Sequence, residues 1–288
     1  MCVFYRYLSL AHNGDENQCQ QNIGLLIQAN PDVKPETAKV YNSGIVFDLS
    51  KEVSLTMDYY RIDRKNEINI LSLAQILDNE KNPSPLYRGR IQRGPAAPGQ
   101  PVGNIQSIRT GFINIGRTVT SGVDLDLNAR FSLGEYGKLS TNALVSYTSV
   151  YKNSPEDGSG YVSYVDYRDY PRVRGTIRTT WERGNWVSTL TTRYFSGFHT
   201  YSNGDTSATT CNNKAASSIY IGDCRVTEQV TFDLGTEYRG IKDLVLSATV
   251  QNIANLRPSA DPLVRPANTD WFSQTGAYFT LAARYTFR

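Results

Sequence analysis

The feature that most constrains this chain is a strict alternation. Val123, Leu125, Leu127, Ala129 and Phe131 are separated by Asp124, Asp126, Asn128 and Arg130. Successive side chains on a β-strand point to opposite faces, so this run has one apolar face and one wholly polar face. Such a strand needs an apolar medium on one side and a wet, polar space on the other.

The pattern recurs along the chain. Tyr41, Ile45, Phe47 and Leu49 interleave with Asn42, Gly44 and Asp48, and a polar break at Ser50, Lys51 and Glu52 follows. Val53, Leu55, Met57 and Tyr59 then alternate with Ser54, Thr56, Asp58 and Tyr60, which predicts a hairpin. After the sharpest strand the chain turns through Gly134, Glu135, Tyr136 and Gly137 into Leu139, Thr141, Ala143, Val145 and Tyr147, alternating with Ser140, Asn142, Ser146 and Thr148. A third hairpin sets Val173, Ile177 and Trp181 against Trp186, Leu190 and Tyr194 across residues 182–185. A fourth sets Val230, Phe232, Leu234 and Tyr238 against Leu244, Leu246, Ala248 and Val250 across residues 239–243. The last strand, 277–287, places Phe279, Leu281, Ala283, Tyr285 and Phe287 on one side.

About nine strands result, most near the roughly 9 to 11 residues that cross a bilayer at a tilt. The turns inside each hairpin are short, whereas the links between hairpins (67–106, 152–170, 199–227 and 256–275) are long. Outer-membrane barrels alternate short periplasmic turns with long outer loops in this way. Aromatics gather near strand ends, at Tyr59 and Tyr60, Tyr147 and Tyr151, Trp181 and Trp186, and Tyr194 and Phe195, where a membrane-interface girdle would stand. The same aromatics also suit strands in general. The fold class expected is all-β, an antiparallel transmembrane β-barrel.

Composition excludes several alternatives. No run approaches about 18 apolar residues, so a transmembrane helix is not expected, and a mean hydropathy of −0.42 is compatible with alternating membrane strands. The formal net charge is +3 without a basic block, which argues against nucleic acid as a partner. The first residues lack a basic head, an apolar middle and a small-residue cleavage site, so no signal peptide is expected in the chain as written. Cys2, Cys19, Cys211 and Cys224 match no zinc or redox spacing. Two local disulfides, Cys2 with Cys19 and Cys211 with Cys224, are one reading, and four unrelated thiols are the other.

Chemistry-bearing patterns are sparse. Asp124 and Asp126 share a face and could bind a cation or act as acid and base, but Asn128 and Arg130 beside them suggest a polar lumen wall. Ser149 and Lys152 match Ser-x-x-Lys at a strand end without the other elements of a β-lactamase. His12 and His199 are the two histidines, leaving little material for a triad or a metal site. His199, near Tyr194, Phe195, Phe198 and Tyr201, is a candidate ligand-binding residue, with a solvated loop histidine as the plainer reading. Residues 94–101 are a turn-rich loop and not a phosphate cradle. No catalytic residue, metal or cofactor is expected.

Several stretches resemble TonB-dependent outer-membrane receptors. Asn30-Pro31-Asp32-Val33-Lys34-Pro35-Glu36 resembles the family's approach to a barrel strand, with Val33 where Leu is usual. Pro31 and Pro35 would also keep that approach extended. Residues 53–68 resemble the following strand, and 70–80 with 85–93 resemble an outer loop of many members. Residues 112–127 are similar to the family's Asn-x-Gly, Ser-Gly-x-Asp strand, here Asn114, Gly116, Ser121, Gly122 and Asp124. Residues 250–258 resemble the penultimate strand's exit, with Ile253 in place of Leu, and 276–287 resemble the closing strand.

The resemblance implies about the last 9 to 10 strands of a barrel of about 22. It divides the chain into 1–37, an outer loop and a possible remnant strand, and 38–288, the C-terminal part of the barrel. It also implies that Tyr285 and Phe287 are read by the barrel-assembly machinery, although Arg288 follows. Residence in the outer membrane of a Gram-negative bacterium, contact with its lipid, and capture of a scarce nutrient (an iron chelate, a vitamin or a glycan) are implied as well. No plug domain or coupling segment is recognised, so the expectation is a partial receptor that does not transport alone and meets the TonB energy-coupling protein in the full-length receptor. The alternative is a small autonomous outer-membrane barrel, a porin or adhesin. A barrel enzyme is a third, disfavoured by the scarcity of histidine.

Overall fold

The structure is a computed structural model that describes residues 23–81, 84–99, 101–154, 160–167, 170–199, 225–256 and 275–287. In chain order its elements begin with β1 (Gly24–Gln28), β2 (Thr37–Asp48), β3 (Val53–Lys65), β4 (Ile68–Ile70) and α1 (Leu73–Asp78). Next come β5 (Ile91–Arg93), β6 (Ile105–Asn114), β7 (Arg117–Ser132), β8 (Lys138–Ser154) and β9 (Val162–Ser163). The remainder are β10 (Val173–Arg183), β11 (Trp186–Phe195), β12 (Phe198–His199), β13 (Arg225–Val226), β14 (Gln229–Ile241), β15 (Leu244–Gln251) and β16 (Tyr278–Tyr285). Two compact units are built from them, residues 1–37 with 64–117 and residues 38–63 with 118–288.

The larger unit is a 10-stranded sheet in the order β16-β15-β14-β11-β10-β8-β7-β3-β2, with β9 added to β8. Its nine principal strands coincide with the nine alternating runs in the sequence, and the sheet is open, with β2 and β16 at its edges. The ladder shows how the alternation acts across strands. Val173 lies opposite Tyr147, Thr179 opposite Leu190, Leu190 opposite Leu234, Leu234 opposite Val250, and Val250 opposite Phe279. One continuous apolar face therefore runs from β8 to β16. A slip of one residue in any ladder would turn a whole strand's apolar set to the polar side.

Aromatics border that face at both ends. Near the short turns, Trp181 donates its ring N–H to the Tyr136 carbonyl at 2.8 Å, and the rings of Trp186 and Tyr238 lie 4.7 Å apart. Tyr147 and Tyr194 stand at the other end, separated from one another by the single strand β10. From Trp186 to Tyr194 the strand rises about 26 Å, or about 20 Å vertically at a barrel tilt, close to the height of an outer-membrane apolar band. β8 pairs with β10 from Lys138 to Tyr147 and then runs on to Ser154, so its surplus length projects at the end of the long links.

Two glycines permit close approaches. A Cβ on Gly122 would lie 2.4 Å from the Tyr147 carbonyl oxygen and 2.6 Å from the Tyr60 hydroxyl, which accounts for glycine in the Ser-Gly-x-Asp motif. Gly137, at φ 95°, closes the β7–β8 turn, and a Cβ there would meet the Glu182 carbonyl oxygen.

The smaller unit contains most of what the sequence suggested was a plain link at 67–106. β6 is its centre, pairing parallel with β1 and antiparallel with β4 and β5. Leu71, Ile76, Leu77, Tyr87, Ile105, Ile108 and Ile115 form its buried core. Helix α1 starts with a reciprocal capping box, in which the Ser72 hydroxyl accepts from the Gln75 N–H and the Gln75 side chain accepts from the Ser72 N–H. Ser72-x-x-Gln75 before Leu73, Ile76 and Leu77 was a helix signal within the sequence. Arg93 pairs bidentately with Glu80, with contacts of 2.6 and 2.7 Å. Among the described residues no helix is long and apolar enough to cross a membrane.

The Asn-Pro-x-x-Lys-Pro-Glu stretch is a clasp within this unit. The Asn30 amide donates to the Phe112 carbonyl at 3.0 Å. The Asn114 side chain accepts from the Lys34 N–H and donates to the Lys34 carbonyl, each at 2.7 Å. Glu36 accepts from the Ile68 N–H at 2.8 Å and from Arg64 at 2.9 Å. Two motifs eighty residues apart in sequence are thus joined by one asparagine.

The first test of this fold is Gly122→Val, which forces the Tyr147 backbone or the Tyr60 ring aside. It is expected to destabilise the sheet by about 1–3 kcal/mol, read as a lower thermal midpoint in detergent. An unchanged midpoint would refute the close approach. A second test concerns Glu36, whose carboxyl the Ile68 N–H and then the Arg64 guanidinium hold below its ordinary range. A depressed carboxylate contributes stability above its unfolded value that is lost as pH falls through its folded value. Hydrogen-exchange protection of the Ile68 amide should therefore drop on acidification below the usual carboxylate range. Glu36→Gln should flatten that dependence.

Candidate functional site

The face opposite the apolar one is polar, and polar side chains from three strands gather at its end beside the long links. Here Arg174 and Thr176 on β10, Arg193 on β11, and Gln229, Thr231 and Asp233 on β14 share a side, because each stands one residue out of phase with the apolar set. A cavity of about 440 Å³ is lined by Arg193, Gln229, Asp233, Gln251, Asn252 and Tyr278, among others. A second, of about 320 Å³, is lined by Ser146, Arg174 and Thr176 and shares Arg193, Gln229 and Thr231 with the first.

Asp233 organises this end. Its carboxylate takes an ion pair from the Arg193 guanidinium and accepts the Asn252 N–H at 2.8 Å. Asn252, at φ 49°, turns the chain out of β15 and holds Leu256 through both atoms of its amide, at 2.8 and 3.0 Å. Asn255, also at φ 49°, accepts the Ala277 N–H at 2.9 Å. The two asparagines of the 250–258 motif therefore shape the exit from β15 and the return into β16. Left-handed backbone is the conformation in which asparagine is favoured over other non-glycine residues.

Further along the same end, Asp166 links three segments. Its carboxylate accepts from Arg172 at 2.8 and 2.6 Å, its N–H donates to the Tyr170 carbonyl at 2.9 Å, and its carbonyl accepts the His199 N–H at 2.7 Å. The bond to Asp166 raises the Arg172 pKa above its ordinary value, against the opposing effect of burial. Tyr151, Tyr164 and Tyr170 pack together with ring centroids 4.6 to 5.9 Å apart. The Lys152 ammonium lies 4.3 Å from the Tyr161 ring centroid.

His199 is half-buried in β12, opposite Arg225 in the ladder and tilted against Tyr167 at 5.1 Å, so it is packed among neighbours at the end beside the long links. Phe195 and Phe198 are buried with Val226 beneath it, whereas Tyr194 faces the apolar side. Asp126 accepts from Asn128 and Asn142 at 2.9 and 2.8 Å, a hydrogen-bonded ladder of a polar wall. Ser149 bonds to Ser121, and Lys152, three residues on in the same strand, points to the opposite face, so Ser-x-x-Lys brings no nucleophile to a base. Among the described residues no group of three or more His, Cys, Asp or Glu could hold a metal. Tyr285 and Phe287 pack edge to face at 4.8 Å, both exposed. Cys2, Cys19, Cys211, Cys224, His12, Tyr201 and Arg288 lie outside the described residues.

Arg174, Arg193, Gln229 and Asp233 were not singled out in the sequence. Their shared face was implicit in the alternation, but their assembly depends on registers between strands that no single strand encodes.

The family model described as TonB dependent receptor-like, beta-barrel matches residues 5–253. No curated protein sequence matches the chain. Among solved structures, a variant of the ferric enterobactin receptor PfeA from Pseudomonas aeruginosa superposes with a TM-score of 0.58 at 16% identity, over 91% of this chain and 32% of that one. A second structure of the ferric enterobactin receptor gives 0.58 at 19% identity, over 92% and 34%. The siderophore receptor PirA from Acinetobacter baumannii gives 0.57 at 15%, over 91% and 33%. These identities carry the fold alone, and the chain spans about a third of the length of the solved receptors it matches.

Proposed function

Because the chain belongs to the TonB-dependent receptor-like β-barrel family, we propose that it supplies barrel wall and outer loops to an outer-membrane receptor importing an iron chelate. The observation that carries this reading is the two-faced sheet. Its register keeps one face apolar for lipid while gathering Arg174, Arg193, Gln229 and Asp233 on the other, at the end where the long links emerge. The ferric enterobactin and siderophore receptors it resembles favour an iron chelate over a vitamin or a glycan.

In this reading the outer loops gather the ligand, and a disulfide between Cys211 and Cys224 staples one of them. Tyr285 and Phe287 present the closing aromatic signal to the assembly machinery. Energy comes from the TonB coupling protein acting on the whole receptor. An open sheet matching about a third of a receptor does not transport by itself, since β2 and β16 still need strands to pair with.

The test is to export the chain behind a cleavable signal in a strain lacking its siderophore receptors and to follow localisation and radiolabelled iron. The chain should fractionate with the outer membrane and restore no uptake. Uptake by the chain alone would overturn the partial-wall reading. A heat-modifiable, protease-resistant species formed by the chain alone would favour the autonomous porin or adhesin instead. Absence from the outer membrane would overturn both.

A further inference from the structure

The apolar face of the larger sheet is not evenly filled. Near the short turns a groove of about 560 Å³ opens on it across β14, β15 and β16, within the size range of small-molecule sites. Pairing sets Trp186 opposite Tyr238, Tyr238 opposite Leu246 and Leu246 opposite Ala283. Two residues along, it sets Thr236 opposite Ala248 and Ala248 opposite Leu281. Trp186, Tyr238, Leu246 and Leu281 therefore wall the groove, and Thr236 and Ala248 form its floor. The Thr236 and Ser188 hydroxyls share a hydrogen bond of 3.1 Å, so the floor presents no unsatisfied polar group there. Three strands at their usual spacing give a length of about 10 Å, a span that part of an acyl chain covers.

The β14–β15 turn holds Tyr238 clear of this space. The ladder shifts register between Tyr238 and Ile241, and a Cβ on Gly240 would lie 2.2 Å from the Tyr238 hydroxyl and 2.8 Å from the Asn185 side-chain nitrogen. Glycine at 240 thus leaves the ring room to fold toward the turn, where it packs on Trp186 at 4.7 Å. Such amphipathic rings stand at headgroup depth, so the groove runs from that depth into hydrocarbon.

The turns beneath the rings carry cations without protein partners. Lys242 stands between β14 and β15, and Arg183 faces Trp186 in the ladder with its guanidinium 5.8 Å from the Tyr136 ring centroid. Among the described residues neither pairs with a carboxylate. Glu237 is taken by Arg239, and Glu182 stands out of phase with the apolar set, on the opposite face. Asp243 is the one remaining carboxylate of these two turns, so at least one positive charge is left over at the headgroup end of the groove.

We propose that this groove is a binding site for an anionic phospholipid, with one acyl chain laid over Thr236 and Ala248 and the phosphate held by Lys242 and Arg183. The site rests on the outer-membrane reading of the sheet and goes beyond general contact with lipid, because it assigns one place, one lipid class and the residues that select it. A zwitterionic lipid brings its own cation to these two and loses the charge match.

The experiment titrates the full chain, extracted from outer membranes in detergent, with dibrominated phosphatidylglycerol or dibrominated phosphatidylethanolamine of the same acyl chains, and reads quenching of tryptophan fluorescence. Phosphatidylglycerol should quench saturably, at a mole fraction about fivefold lower than phosphatidylethanolamine, the effect of one basic residue at an anionic surface. Trp186→Phe should remove most of the saturable quenching, which assigns it to the groove. Arg183→Gln combined with Lys242→Gln should make the two lipids equal. Ala248→Phe fills the floor from the lipid side and should abolish saturation with an unchanged thermal midpoint. The charge variant, confined to exposed turn residues, decides the matter where Ala248→Phe lowers the midpoint. Equal quenching by both lipids in the unaltered chain, or a preference that survives the charge variant, would overturn the site while leaving the wall reading standing. A chain absent from the outer membrane overturns the membrane reading, and this inference with it.

Discussion

Everything in the larger unit depends on the register of one antiparallel ladder. Each strand alone is a weak amphipath, and its apolar side becomes a surface only because Leu190 lies opposite Leu234, Leu234 opposite Val250 and Val250 opposite Phe279. The same bookkeeping of odd and even residues creates the polar wall, since Arg193 and Asp233 can meet diagonally only if Thr191 faces Asp233 and Arg193 faces Thr231. Register is held strongly here because slippage by one residue would carry a strand's whole apolar set to the polar face. Short turns fix it further, as at Gly137, where the backbone leaves no room for a side chain.

The strands were legible because their period is local. Each run of apolar residues spaced two or four apart declares itself without reference to a partner, and the turn residues mark where it stops. The smaller unit was less legible for a physical reason. Its strands β1, β4 and β5 are only three to five residues long, and β1 pairs in parallel with β6 from across 83 residues of sequence, so no local period announces them. Helix α1 carried a local signal, a capping box and apolar spacing between Ser72 and Leu77, but it lay inside a stretch read as a loop. The candidate site was partly hidden for a similar reason. Arg193 and Asp233 each look like one more polar residue on a two-faced strand, and forty positions separate them. His199 drew notice because histidine is rare, yet it is packed against Tyr167 at the end beside the long links.

The stretches that carry the family resemblance share a physical role. Asn30, Asn114, Asn252 and Asn255 use side-chain amides to replace backbone partners where the chain leaves or joins the ladder. An amide offers both a donor and an acceptor, so one residue can satisfy the two orphan groups left at a strand end. Asn114 does so for Lys34 in both directions, and Asn252 does so for Leu256. Aspartates act beside them as junctions, Asp166 and Asp233 each gathering groups from separate segments. Asn252, Asn255, Asp166 and Asp233 shape the end of the larger unit's sheet beside the long links.

The open edges set the condition under which such a wall can exist in a membrane. Leu281 is 85% exposed and Phe279 70% exposed on β16, which makes that strand an apolar edge with unpaired backbone groups. In hydrocarbon each unpaired backbone group costs several kcal/mol, so an open sheet of this length is not a stable spanning structure. Pairing at β2 and β16, with each other or with further strands, is therefore coupled to insertion itself. Closure would also turn the polar face inward, which would place Arg174, Arg193 and Gln229 in a wet lumen shielded from lipid. The paired backbone ladder and an inward-facing polar wall are thus two consequences of one closure.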